Sequence, residues 1–209
     1  MKHSDKLMAI DLDGTLLRGN TLRIYMRCGL GQMWRRHHYG RMLRALWLIA
    51  LRRLRLIHHT TMKFGVIHMI DPDDPVLRRQ FVQRVDRLRN PQVRTVMSEW
   101  CQAGGVVVLA TAAADVYVPW IWSGPFLATK TYDNPRHIEM RGPNKAHAVS
   151  CFARDHGLQL WIVVTDHIDD LPLMEQAADG VILVNADRKT IGIVKRLALN
   201  VVGTFTFKH

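Results

Sequence analysis

Apolar and polar positions along the chain follow two different periods. Leu7 to Ile10 form a short apolar run that reads as a buried strand, and Asp11, Asp13, Gly14 and Thr15 end it. From about Arg18 to Asn90 the character changes: β-branched residues become few, and Arg, Leu, Met and His accumulate. This stretch is predicted to be helical. Between Arg41 and Ile57, the residues Leu43, Trp47, Ala50, Leu54 and Ile57 fall on one helical face, with Arg41, Arg44, Arg52 and Arg55 opposite. That pattern predicts an amphipathic helix whose apolar face packs inward and whose outer stripe is basic. A basic amphipathic helix of this kind either presents a solvated arginine face or docks on an anionic membrane surface.

Further on, Asp71-Pro-Asp-Asp-Pro75 is a turn leading into a helix, with Asp74 as N-cap and Pro75 at the first helical position. Leu77, Phe81, Val85 and Leu88 would form its buried stripe. Asn90-Pro91 repeats the start signal, Val93, Val96, Met97 and Trp100 face inward, and Gly104-Gly105 stops the helix. From Val106 the chain alternates apolar strands (Val106 to Ala110, Leu160 to Thr165, Val181 to Asn185) with a helix from about Lys145 to Asp155, stopped by Gly157. Asn200 to Phe207 reads as an edge strand. Alternation of this kind predicts an α/β fold with a doubly wound parallel sheet. Residues 1–17 and 91–209 would form the core, and residues 18–90 an inserted helical cap subdomain.

Composition narrows the classes. With 209 residues there is room for a full core and one added subdomain, and a hydrophobic fraction of 48% is globular. Cys28, Cys101 and Cys151 are too scattered for a disulfide framework or a zinc site. The N-terminus runs through Ser4, Asp5 and Lys6 straight into the first strand without a signal-peptide pattern, and no apolar run is long enough to span a bilayer. A cytoplasmic protein, in peripheral contact with membrane at most, is the expectation. The formal charge of +11 calls for anionic partners: phosphorylated metabolites, an acidic lipid surface or nucleic acid. Nucleic acid is disfavoured, because no recognised motif or interleaved aromatic platform accompanies the charge. His37-His38 and His58-His59 have no Cys or carboxylate at ligand spacing and read as surface or partly packed residues.

The candidate chemistry begins at Asp11 and Asp13. Carboxylates two apart on an extended backbone point to opposite sides, so one can attack an electrophile while the other serves as acid and base. In an open α/β sheet, ligands bind at this end of a strand.

Asp11-Leu-Asp-Gly-Thr15 resembles the first motif of the haloacid dehalogenase-like phosphatase superfamily, and three further pieces follow in that family's order. They are Val106-Val-Val-Leu-Ala-Thr111, Lys145 in Gly-Pro-Asn-Lys-Ala, and Val163-Val-Thr-Asp166-His-Ile-Asp-Asp170-Leu-Pro. The resemblance implies a magnesium-dependent phosphomonoester hydrolase of the phosphoserine-phosphatase-like branch. Asp11 would be the nucleophile that forms an aspartyl phosphate, and Asp13 the acid and base. Thr111 and Lys145 would bind the phosphoryl group. The metal would be held by Asp11, the Asp13 carbonyl and Asp166, with Asp170 orienting the surroundings. Thr165 and His167 depart from the family's usual residues at their positions.

The branch also implies that a glutamate shortly after the first motif receives the amino group of phosphoserine, and Asn20 stands at the aligned position. A neutral amide weakens an amino-acid substrate and makes Asn20 the candidate for substrate specificity. A small or lipid-linked phosphate monoester is the expected substrate. The alternatives are a non-catalytic module that binds anions or a membrane surface on the same fold, and a phosphotransferase.

Overall fold

The computed structural model describes residues 4–207. Six strands and eight α-helices follow in chain order. β1 (Lys6–Ile10) leads to α1 (Thr21–Arg35), α2 (Tyr39–Arg53), α3 (His59–Ile67), α4 (Pro75–Asp86) and α5 (Pro91–Gln102). Then come β2 (Val106–Ala114), β3 (Phe126–Thr129), α6 (Pro143–Asp155), β4 (Gln159–Thr165), α7 (Leu171–Met174), β5 (Gly180–Val184), α8 (Arg188–Arg196) and β6 (Val201–Phe205). All pairings are parallel, in the order β3-β2-β1-β4-β5-β6. From β1 the chain winds outward to one side through β2 and β3, then returns to the other through β4, β5 and β6. The C-terminal ends of β1 and β4 therefore flank the point where the winding reverses, the crevice that open α/β sheets offer to ligands.

Strand residues alternate between two covered faces, as period-two geometry requires. Met8, Ile10, Leu109, Val164 and Ile182 join Tyr25 of α1, Phe81 of α4 and Trp100 of α5 in one apolar cluster. Leu7, Ala9, Val108, Val163 and Leu183 meet Val149 of α6, Leu173 of α7 and Val194 of α8 on the other side. Helices α1 to α4 thus share a continuous core with one face of the sheet. The chain departs for them and returns from them side by side: Leu17 bridges Arg89, and the Arg18 amide donates to the Leu88 carbonyl at 2.7 Å.

The caps fall where the local chemistry places them. Asp74 accepts from the amides of Val76 and Leu77, and Asn90 from that of Gln92. Gly157, with φ of +64°, lies just beyond the end of α6. β6 is an edge strand, as its position after Asn200 suggested. Three elements, β3, α7 and α8, lie outside the sequence reading and emerge only in the structure.

The orientation of α2 corrects the sequence reading. The helix ends at Arg53, and Arg55 takes a positive φ of +62°. Its inner side is a narrow seam of Met42, Ala45, Leu48 and Ile49, of which Ala45 is fully buried. The wider stripe expected to pack inward is instead exposed: Leu43 and Trp47 are each 62% accessible and Leu54 69%. The seam wins because its partner allows close approach. A Cβ at Gly65 of α3 would strike Leu48, so the glycine leaves room for the Leu48 side of α2 to approach α3 closely. Among the described residues, no helix is long and apolar enough to cross a membrane.

Candidate active site

Asp11 and Asp13 leave β1 on a tight loop. The Asp11 amide donates to the Val164 carbonyl at 2.9 Å, locking the loop to β4. Gly14 turns the chain at φ of +87°, and a Cβ there would collide with the Asp166 carboxylate. A glycine is thus required both for the turn and for the approach of the segment after β4. Thr15 adds a long hydroxyl contact to Asp166 Oδ1, at 3.4 Å.

Lys145 is the third residue of α6, where an ammonium opposes the helix dipole. It is buried, and two carboxylates offset that cost: Nζ donates to Asp11 Oδ1 at 2.7 Å and to Asp170 Oδ2 at 2.9 Å. Burial alone would lower the lysine's pKa, but the two carboxylates more than offset this and raise it. Asp170 is fixed in turn by the Thr165 hydroxyl, which donates to its Oδ2 at 2.7 Å. The threonine that departs from the familiar motif therefore anchors the lysine's second partner.

Asp13 points the other way, toward α1. Its Oδ1 accepts from the Thr21 amide at 2.8 Å and its Oδ2 from the Thr21 hydroxyl at 3.0 Å. Burial, opposed by those bonds and reinforced by Asp11, pushes its carboxyl up to about 7. Burial and then Asp11 push Asp166 up to about 7 as well, and Asp11 itself is raised, chiefly by burial. Thr111 lies within β2 rather than at its end; its hydroxyl oxygen accepts from the Ala113 amide at 3.0 Å, which leaves the hydroxyl proton for another partner.

One cavity of about 320 Å³ is lined by Asp11, Asp13, Asn20, Thr111, Lys145, Asp166 and Asp170, so every candidate residue meets there. Burial first, and then the crowding of four carboxylates around one ammonium, makes three of them resist ionisation. No group of three His, Cys, Asp or Glu side chains among the described residues is gathered as a ready cage. The implied magnesium set needs none, since it draws on two carboxylates, one backbone carbonyl and water. Hard oxygen donors with unmet negative charge fit that ion.

The opposite wall was not legible in the sequence. His59 and Lys63 of α3 line it with Glu139 and Arg141 of the loop before α6. Lys63 is buried, donates to the Ala112 carbonyl at 2.7 Å and is ion-paired with Glu139, while Arg141 Nε donates to Asp169 at 2.6 Å. His59, expected as a surface or partly packed residue, is exposed at this wall, and partial desolvation lowers its pKa. Asn20 caps α1: its Oδ1 accepts from the Arg23 amide at 3.0 Å.

Fold and site together define an α/β enzyme with a carboxylate–lysine centre at the switch point of a doubly wound sheet. The sequence profile of the haloacid dehalogenase-like hydrolases matches residues 9–175, and the chain belongs to that family. Curated protein sequences give no match. Among solved structures, a protein of unknown function from Bordetella pertussis Tohama I is similar, with a TM-score of 0.71 at 18% identity over 100% of this chain and 99% of that one. A haloacid dehalogenase family hydrolase from Salmonella enterica serovar Typhi gives 0.63 at 13% identity, over 98% and 68%. A phosphoserine phosphatase captured as an analogue of its phospho-aspartyl intermediate gives 0.57 at 13%, over 98% and 94%. These likenesses establish the shared fold.

Proposed function

We propose that the protein is a phosphatase that hydrolyses phosphate monoesters with magnesium, through a covalent phosphoryl group on Asp11. The observation that carries this reading is the meeting of Asp11, Asp13, Thr111, Lys145, Asp166 and Asp170 in one cavity. A phosphate dianion brought to this carboxylate-rich centre needs positive charge, in-line attack and a proton for its leaving oxygen. Magnesium held by Asp11, Asp166 and the Asp13 carbonyl would supply the missing charge.

The chain's own side chains do the rest. An Asp11 oxygen bonds to phosphorus as the ester P–O bond breaks, and Asp13 gives its proton to the leaving oxygen. Asp13 then takes a proton from water as that water attacks phosphorus, releasing phosphate and restoring Asp11. Lys145 neutralises charge on the phosphoryl oxygens and steadies Asp11, and the Thr111 hydroxyl donates to a phosphoryl oxygen. Thr21 keeps Asp13 aimed.

Leaving-group choice falls to the wall of Asn20, His59, Lys63, Glu139 and Arg141, polar and of both signs, which suits a small polar ester or a lipid head group. The Asn20 carbonyl oxygen is already engaged by Arg23, which disfavours capture of a substrate ammonium. Hydrolysis of an aryl phosphate with magnesium, with chelator, and by Asp11→Asn tests the proposal. Metal-dependent turnover that the variant abolishes is expected, whereas equal activity from both proteins would remove Asp11 from its role.

A further inference from the structure

The outward stripe of α2 has no partner among the described residues. Leu43, Leu46, Trp47 and Ala50 recur at three- and four-residue steps on one side, and Leu54 continues the line. Exposed Trp34 and Tyr39, packed edge to face at 5.4 Å, stand before it, and Leu56 follows it. Seven of the thirteen large exposed hydrophobic residues among those described fall between positions 34 and 56. The surface hydrophobicity is therefore gathered in one segment rather than scattered, the distribution that marks an interaction surface.

Charge is gathered in the same place. Residues 18–70 hold eleven of the 29 basic residues and none of the 18 acidic ones. The remainder of the chain is electrically balanced, so this segment carries the whole formal charge of +11. Arg41, Arg44, Arg52, Arg53 and Arg55 are all exposed. At 100° per residue, Arg44 and Arg53 stand roughly a quarter-turn to either side of the apolar stripe.

A partner must satisfy both features. Nucleic acid would meet the arginines and leave the leucines wet. A second copy would cover the leucines but bring arginine toward arginine, a repulsion that disfavours that docking. A lipid surface with anionic head groups takes the apolar stripe at the acyl boundary and the arginines among the phosphates. Tryptophan and tyrosine suit that boundary, and a helix of 15 residues is too short to span, so it would lie in the plane.

We infer that α2, with the turns before and after it, is a docking surface for an anionic lipid bilayer. His59, on the cavity wall, follows Leu56 by only three positions, so the docking segment and the leaving-group wall are continuous along the chain. The docking does not depend on the proposed chemistry.

The test is sedimentation of the full chain with vesicles of phosphatidylcholine alone or mixed with phosphatidylglycerol, at low and high salt, with tryptophan emission read in parallel. Wild type and Asp11→Asn should pellet alike with the anionic vesicles, more at low salt, with a blue-shifted emission. Replacing Arg44 and Arg53 together by Gln should lower partitioning roughly thirtyfold at low salt. Replacing Leu43 and Trp47 by Ser should abolish the emission shift and the salt-resistant part of binding. Both pairs are exposed, so helical circular dichroism and aryl phosphate turnover should stay unchanged in either variant. Failure of wild type to pellet with anionic vesicles at low salt would overturn the inference, as would equal pelleting with phosphatidylcholine alone or variants that pellet like wild type. A dimer that the Leu43/Trp47 variant dissolves, without vesicle binding, would assign the surface to self-association instead.

Discussion

Thr21 holds Asp13 with two hydrogen bonds, one from its amide at 2.8 Å and one from its hydroxyl at 3.0 Å. The first residue of α1 thus grips a carboxylate that follows β1, and the orientation of that carboxylate depends on how α1 is seated. Thr21→Val keeps the shape and the amide bond but removes the hydroxyl. A bond to a charged group contributes about 1.5 kcal/mol, so kcat for an aryl phosphate should fall about tenfold, with KM little changed. Steady-state kinetics check the split.

Lys145 is the shared cation of the buried Asp170 and the partly exposed Asp11. Lys145→Met should cut turnover by about two to three orders of magnitude, as loss of a stabilising charge at phosphorus does. It should also destabilise the fold by about 3–5 kcal/mol, because these carboxylates lose their partner. Adding Asp11→Asn to that variant should recover part of the stability while activity stays absent. Urea unfolding of the two single variants and the double variant measures this coupling.

The metal-free protein should lose stability as pH rises from about 4 to about 7. Asp13 and Asp166 have an ordinary value of 3.8 and titrate near 7 when folded. Between those values the folded state holds more protons than the unfolded one, so each rise in pH favours unfolding. Unfolding free energies in chelator across this window should slope downward, and less steeply in Asp166→Asn. Magnesium added above pH 7 should restore stability by binding the folded state alone. No difference between wild type and Asp166→Asn would remove the crowded carboxylates as the cause.

Gly14→Ala places a methyl group against the Asp166 carboxylate at a positive φ. Backbone strain of this kind costs on the order of 1–3 kcal/mol. Turnover should suffer more than stability, because the displaced group is one of the carboxylates facing the substrate. Comparing the melting temperature with kcat/KM and with the magnesium concentration for half-maximal rate separates the two effects.

What could be seen in the sequence follows from where the physics is local. Asp11 and Asp13 sit at the end of a short apolar run, and Asp74 and Asn90 announce helix starts, so a few neighbouring residues place each one. The buried strands of a parallel sheet are likewise legible as apolar runs. The face of α2 was misread because the helix is apolar on two sides, and only contact with Gly65 of α3 decides which side turns inward. The wall of His59, Lys63, Glu139 and Arg141 joins α3 to a loop some 75 positions away. Lys63 and Glu139 become meaningful as a pair across that distance, and nothing in the immediate neighbourhood of either announces it.

The adjacency of Leu17 and Arg89 has a consequence for how such a molecule can change over time. Because the departing and returning segments share one doorway, a different stretch of chain could be exchanged between them without rerouting a single strand. The part of the cavity wall that α3 supplies, His59 and Lys63, can then vary separately from the carboxylates and lysine held at the strand ends, while Glu139 and Arg141 stay with the scaffold.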